Sequence, residues 1–173
     1  RALRQFEANG DKPAQALSLQ SLAYLNFEDG RLADAMREFD AALALIPRQE
    51  EPVNFAHTLH NSAQPLMVLG RFDEAIARFN DAGRVLHDFG DRDGEARALH
   101  GMGTALLHAG EIDRAQEMLR AAIDLRQQTG VRREQAVSLI VLGRIERDVG
   151  NLKAAIDMHR QAAGLVTAPN DQA

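Results

Sequence analysis

Leu99-His100-Gly101-Met102-Gly103-Thr104-Ala105-Leu106-Leu107-His108-Ala109-Gly110-Glu111-Ile112-Asp113-Arg114-Ala115, continued by Leu119 and Ala122, carries the pattern that decides the fold. Before Gly110, apolar and small residues recur at three- and four-residue spacing, as on one face of an α-helix. After it, Ile112, Ala115, Leu119 and Ala122 make one face of a second helix. Gly110 is the break between them, since glycine ends helices by taking backbone angles that other residues avoid. The stretch therefore predicts two amphipathic helices joined by a tight turn.

The same columns return forty residues away in either direction. Glycine recurs at Gly30, Gly70, Gly110 and Gly150, and alanine five residues later at Ala35, Ala75, Ala115 and Ala155. Two residues after each glycine stands Leu32, Phe72, Ile112 or Leu152, nine after it Phe39, Phe79, Leu119 or His159, and twelve after it Ala42, Ala82, Ala122 or Ala162. Eleven before it stands Leu19, Leu59, Leu99 or Leu139, and seven before it the small residue Ala23, Ala63, Gly103 or Gly143. Small residues in register let helices approach closely while the large ones fill the space beside them. A fixed period of this length means one supersecondary unit stacked on copies of itself, an architecture that works by presenting a long surface to a partner.

Leu-x-x-x-small before a glycine, then alanine, a large apolar residue and alanine at five, nine and twelve after it, resembles the tetratricopeptide repeat over residues 16 to 167. The segment Phe89-Gly90-Asp91-Arg92-Asp93-Gly94-Glu95-Ala96 is similar to the connection between units in the longer repeats of that family, and Gly10 and Gly130 repeat its break. The resemblance implies an all-α fold: a right-handed superhelical solenoid of antiparallel helix pairs, about four repeats plus a partial leading helix, with a concave groove lined by the first helix of each pair. The forty-residue unit looks like the extended form found in adaptors and in bacterial signalling and transcription regulators.

The expected organisation is a single domain over residues 1–173, with repeats at 16–50, 51–90, 91–130 and 131–167. Ala2 and Leu3 stand in register with Ala42 and Leu43, so residues 1–9 read as the end of an earlier repeat, and 168–173 as a frayed tail. An excerpt of a longer protein is the expectation. Two local departures are expected: a different turn where Pro47 and Pro52 flank the connection, and a bend at Pro65, which removes one helical hydrogen bond. The last helix should leave an apolar stripe uncovered, which suits packing on a removed continuation of the chain or self-association with another copy through open ends.

Composition narrows the function. A hydrophobic content of 45% over 173 residues suits a packed helical core. A net charge of -5 disfavours direct nucleic-acid binding, and the apolar runs are too short to span a membrane. The absence of cysteine removes thiol catalysis, disulfides and cysteinyl zinc sites. All but Lys12 and Lys153 of the twenty Lys and Arg residues are arginine, which fits a bacterial origin; a cytoplasmic setting is the default expectation. The glycines are accounted for by helix breaks, leaving no phosphate-cradling loop or nucleophile elbow, so no catalytic residue, cofactor or enzymatic activity is expected. His57 and His60 lie one helical turn apart, yet no accompanying carboxylate completes a metal-binding pattern.

Function is therefore expected on the first helices. Their outward residues give the candidate ligand-binding set His57, His60, Asn61, Gln64, Arg97, His100, Thr104, Arg144 and Arg147. Arginines beside histidines suit carboxylates through charge-assisted hydrogen bonds, which points to an acidic peptide or protein segment as partner. In peptide-binding members of the family, which this chain resembles, an asparagine at the position of Asn61 holds the ligand backbone. Phe27, Met67 and Leu107 share a column that serves either as an apolar floor for a partner or as packing between units. The alternative expectation is a regulatory or structural arm of a larger signalling or transcription regulator, acting by self-association or intramolecular packing.

Overall fold

A computed structural model describes residues 11–167. The proposed leading helix end and Gly10 lie outside the described residues, as does the tail 168–173. Among the described residues there are eight α-helices and no strand: α1 (Lys12–Glu28), α2 (Leu32–Leu45), α3 (Pro52–Val68), α4 (Phe72–Asp88), α5 (Arg92–His108), α6 (Ile112–Thr129), α7 (Arg132–Asp148) and α8 (Leu152–Thr167). The chain is an all-α solenoid of helix pairs. It falls into two compact units, the first ending at Asp91 and the second beginning at Arg92. In the first unit α1 packs on α2, α2 on α3 and α3 on α4; in the second, α5 to α8 repeat that succession.

The turn inside each pair is set by local chemistry. Gly110 has φ +83°, in the left-handed region that costs a side-chain-bearing residue about 1–2 kcal/mol. That conformation turns the Gly110 N–H to the Leu107 carbonyl, at 3.1 Å, and the Glu111 N–H to the Leu106 carbonyl, at 2.9 Å, which satisfies carbonyls the helix end leaves unpaired. The same two bonds recur at Gly30, Gly70 and Gly150. Where the period reaches Glu50, the connection differs. Pro47 cannot continue the helix, Ile46 is extended, and α2 stops at Leu45; the Glu50 and Glu51 N–H groups then both donate to the Pro47 carbonyl. Pro52 opens α3, where a missing N–H costs nothing. Further along, α3 runs through Pro65 as one helix, with the proline buried.

The alanine columns form the core. Ala35, Ala75 and Ala115 are fully buried and Ala155 is nearly so, as are Ala42, Ala82, Ala122 and Ala162, with Phe39, Phe79 and Leu119 between them. At the small-residue column the helices meet so closely that a Cβ on Gly103 would lie 2.9 Å from Leu119 Cγ. In the last pair His159 stands in the large-residue column, and its ring lies over Gly143, where an added Cβ would come within 3.2 Å of Nε2.

Candidate functional site

The candidate residues separate into those held by the fold and those left available. In the first unit, His57 Nε2 lies 2.8 Å from Asp91 Oδ2, and the His60 ring packs against Phe79 with centroids 5.1 Å apart. Asn61 is exposed and Gln64 half-buried on the next turn of α3, and neither amide has a hydrogen-bond partner among the described residues. This pair is the part of the α3 set with free polar groups.

A contact that the sequence reading did not foresee links successive first helices. Gln20 of α1 donates from Nε2 to Thr58 Oγ1 of α3 at 2.8 Å, and Thr58 in turn donates to the Asn54 carbonyl. Eighty residues on, His100 of α5 occupies the Gln20 column and meets Ser138 of α7, in the Thr58 column, with Nδ1 2.9 Å from Oγ. Thr104 is likewise occupied, donating to the His100 carbonyl at 3.0 Å. His100 and Thr104 thus sit half-buried in the helix contact.

The second unit adds a buried cation to that contact. Arg126 of α6, only 3% exposed, donates from one terminal nitrogen to Ser138 Oγ and, at 2.7 Å, to the Glu134 carbonyl, while its buried Nε finds no acceptor. Arginine only donates, so Ser138 Oγ accepts from Arg126, and its contact with His100 Nδ1 is made by whichever of the hydroxyl and the imidazole N–H donates, according to the imidazole tautomer. Burial first, and the Arg126 charge second, push the His100 pKa down to about 4. Burial also lowers the Arg126 pKa, with Glu134 and Asp93 opposing it. His100 is therefore neutral throughout the range in which a free histidine titrates.

The outward stripe of α7 has the opposite character. Val137 and Ile140 are 46% and 43% exposed, and Arg144 follows one turn on with no carboxylate partner among the described residues. Arg133, absent from the candidate set, is exposed and unpaired at the other end of the same stripe. Eleven residues make three helical turns, so the two guanidinium-bearing positions bracket the apolar pair about 16 Å apart. By contrast Arg147 pairs with Asp148 at 2.8 Å, and Arg97 with Asp93 at 3.4 Å. Arg133 was legible as a charge one turn before Val137; its lack of a partner was not. Phe27, Met67 and Leu107 are each half-buried.

Among the described residues no three His, Cys, Asp or Glu side chains cluster as metal ligands would, and no helix is long and apolar enough to cross a membrane.

A sequence profile described as "Tetratricopeptide repeat" matches residues 54–128 and 95–167, together more than half of the chain. No match was found among curated proteins. Solved structures share the fold at low identity. BtubC from P. vanneervenii superposes with a TM-score of 0.81 at 20% identity, over 94% of this chain and 67% of that one. Aspartyl phosphate phosphatase F from Bacillus subtilis gives 0.81 at 13% identity, over 87% of this chain and 40% of that one, so this chain spans less than half of its length. A protein of Podosopora anserina with nearly identical TPR-like repeats gives 0.73 at 18% identity, over 94% of this chain and 90% of that one.

Proposed function

This chain belongs to the tetratricopeptide repeat family, and on that premise we propose that it is a protein-binding module that takes up an acidic segment of a partner protein along the outward faces of its first helices. The observation that carries the reading is the α7 stripe, where unpaired Arg133 and Arg144 flank exposed Val137 and Ile140. Two cations around an apolar pair fit a segment with an apolar side chain between carboxylates: burial of the apolar side chain supplies affinity, and the flanking charges set register and speed encounter. On α3, the free amides of Asn61 and Gln64 suit main-chain groups of a bound segment, each offering both a donor and an acceptor. Arg97 and Arg147 join the surface by exchanging an internal carboxylate for that of the ligand. In the first unit His57 and His60 share α3 with those amides, while in the second His100 holds α5 to α7. A scaffold role without catalysis is the reading most in keeping with the family.

The test is calorimetric titration with a peptide carrying one leucine between two glutamates on each side, against the same peptide with glutamines. Saturable binding of the first is expected, weakened about tenfold by Arg133→Ala with Arg144→Ala and by raised salt. Equal binding of the glutamine peptide would sink the acidic assignment.

A further inference from the structure

Arg126 brings a charge to a column that is otherwise apolar. Ile46 and Leu86 hold the same place in earlier repeats and are buried; Arg126 is buried as deeply, at 3% exposure. Taking a guanidinium out of water costs more than bonds to neutral groups return, so a buried arginine normally has a carboxylate beside it. No ion pair joins Arg126 to a carboxylate among the described residues. Glu134 and Asp93 act on it only at longer range, and Asp93 is committed to Arg97 at 3.4 Å. Its place in the last turn of α6 sets it at the negative end of that helix, an attraction too weak to stand in for a counter-ion.

The partners that the fold does supply lie on one side of the group. Nη1 donates to the Glu134 carbonyl at 2.7 Å and to Ser138 Oγ, which spends both of its hydrogens on neutral acceptors. On the other edge Nε is buried without an acceptor, and Nη2 makes no hydrogen bond among the described residues. Nε–H and one hydrogen of Nη2 project side by side from the planar guanidinium, the fork that receives the two oxygens of a carboxylate. The two bonds from Nη1 fix the plane of the group, so this fork is oriented before any ligand arrives.

We infer that the Nε and Nη2 edge of Arg126 is a binding site for one small free carboxylate, of the size of acetate. A single carboxylate matches both the one charge that lacks a counter-ion and the two parallel donors that lack acceptors. The 3% of the residue that stays accessible admits a small anion and excludes a polyanion or a folded surface. The site uses none of Arg133, Val137, Ile140 and Arg144, so it and the peptide site stand or fall independently.

Side-chain NMR of the histidines at pH 7 tests it, because His100 shares the Ser138 hydroxyl with Arg126 and reports on that place. Sodium acetate should move the His100 ring signals saturably and leave those of His57 and His60 in place, with sodium chloride at equal ionic strength about tenfold less effective. The shift should persist when Arg133→Ala and Arg144→Ala are combined. Arg126→Leu, which copies buried Leu86, should abolish it. Arg126→Lys keeps a charge without the fork and should weaken acetate about tenfold; it carries the comparison if the leucine variant does not fold. The glutamate peptide used above should leave His100 unmoved. A wild type without a saturable acetate shift overturns the inference, as does an undiminished response in either Arg126 variant or chloride as effective as acetate. A peptide that moves His100 as acetate does would give the edge to a bound segment and overturn its assignment to a free anion.

Discussion

The two units make the same helix-to-helix contact with different chemistry. In the first, a glutamine amide reaches a threonine hydroxyl, Gln20 to Thr58; in the second, a neutral imidazole reaches a serine that also serves a buried arginine. Both place a hydrogen bond between residues thirty-eight apart in register, so the geometry belongs to the repeat. What differs is the dependence on protonation and the amount of charge removed from water. An amide does not titrate. A histidine held neutral beside a buried guanidinium ties the second unit's stability to pH.

The largest expected effect separates the units by acid. The unfolded chain takes up the His100 proton near pH 6.5, and the folded chain only near pH 4. This contribution is therefore complete above pH 6.5 and is lost as pH falls through that window, by about 3 kcal/mol in all. His100→Gln, which copies the Gln20 arrangement, should keep the bond to Ser138 and flatten that part of the profile. Thermal melts of both proteins from pH 7 to pH 4 measure the difference, and parallel profiles would show that His100 is not the sensitive group.

Next in size is the loss of the serine. Ser138→Ala removes an acceptor from a buried cation and should destabilise by about 2 kcal/mol, within the range for a hydrogen bond to a charged group. Thr58→Ala in the first unit removes a neutral bond and should cost about 1 kcal/mol. Urea unfolding of the two variants checks the order, and equal losses would mean that Arg126 draws little from Ser138. Smallest is the contrast between two neighbouring arginines on α7: Arg144→Ala should weaken an acidic peptide about threefold, and Arg147→Ala less, because Arg147 already has Asp148. Competition binding with a labelled peptide reads both.

Much of this architecture was legible in the chain. The turn at Gly110 and its equivalents, the closely approaching helices at Gly103 and the altered connection at Pro47 all follow from residues whose backbone or size preferences act locally. The candidate site was legible only as a set of outward columns. Arg126 shares a column with Ile46 and Leu86, and Glu146 shares one with Leu66 and Leu106, yet all are buried. Glu146 is covered because Gln116, Arg120 and Asn151 each donate to it, at 2.8 to 3.0 Å. Residue type alone would have put both charges in solvent. Likewise His100 stood among the ligand candidates because its column faces outward on an isolated helix, and a neighbouring helix occupies that direction.

The sequence by itself determined the forty-residue period, the helix pairs and the places where they turn, because a left-handed glycine, a proline and an apolar stripe act over a few residues of their own segment. Only the tertiary structure decided which charged and polar groups are consumed internally and which remain for a partner. That division depends on distances between side chains thirty or more residues apart, and on whether burial leaves each donor an acceptor. Arg126 and Arg144 are the same residue type on adjacent helices; packing gives the first to Ser138 and leaves the second to solvent.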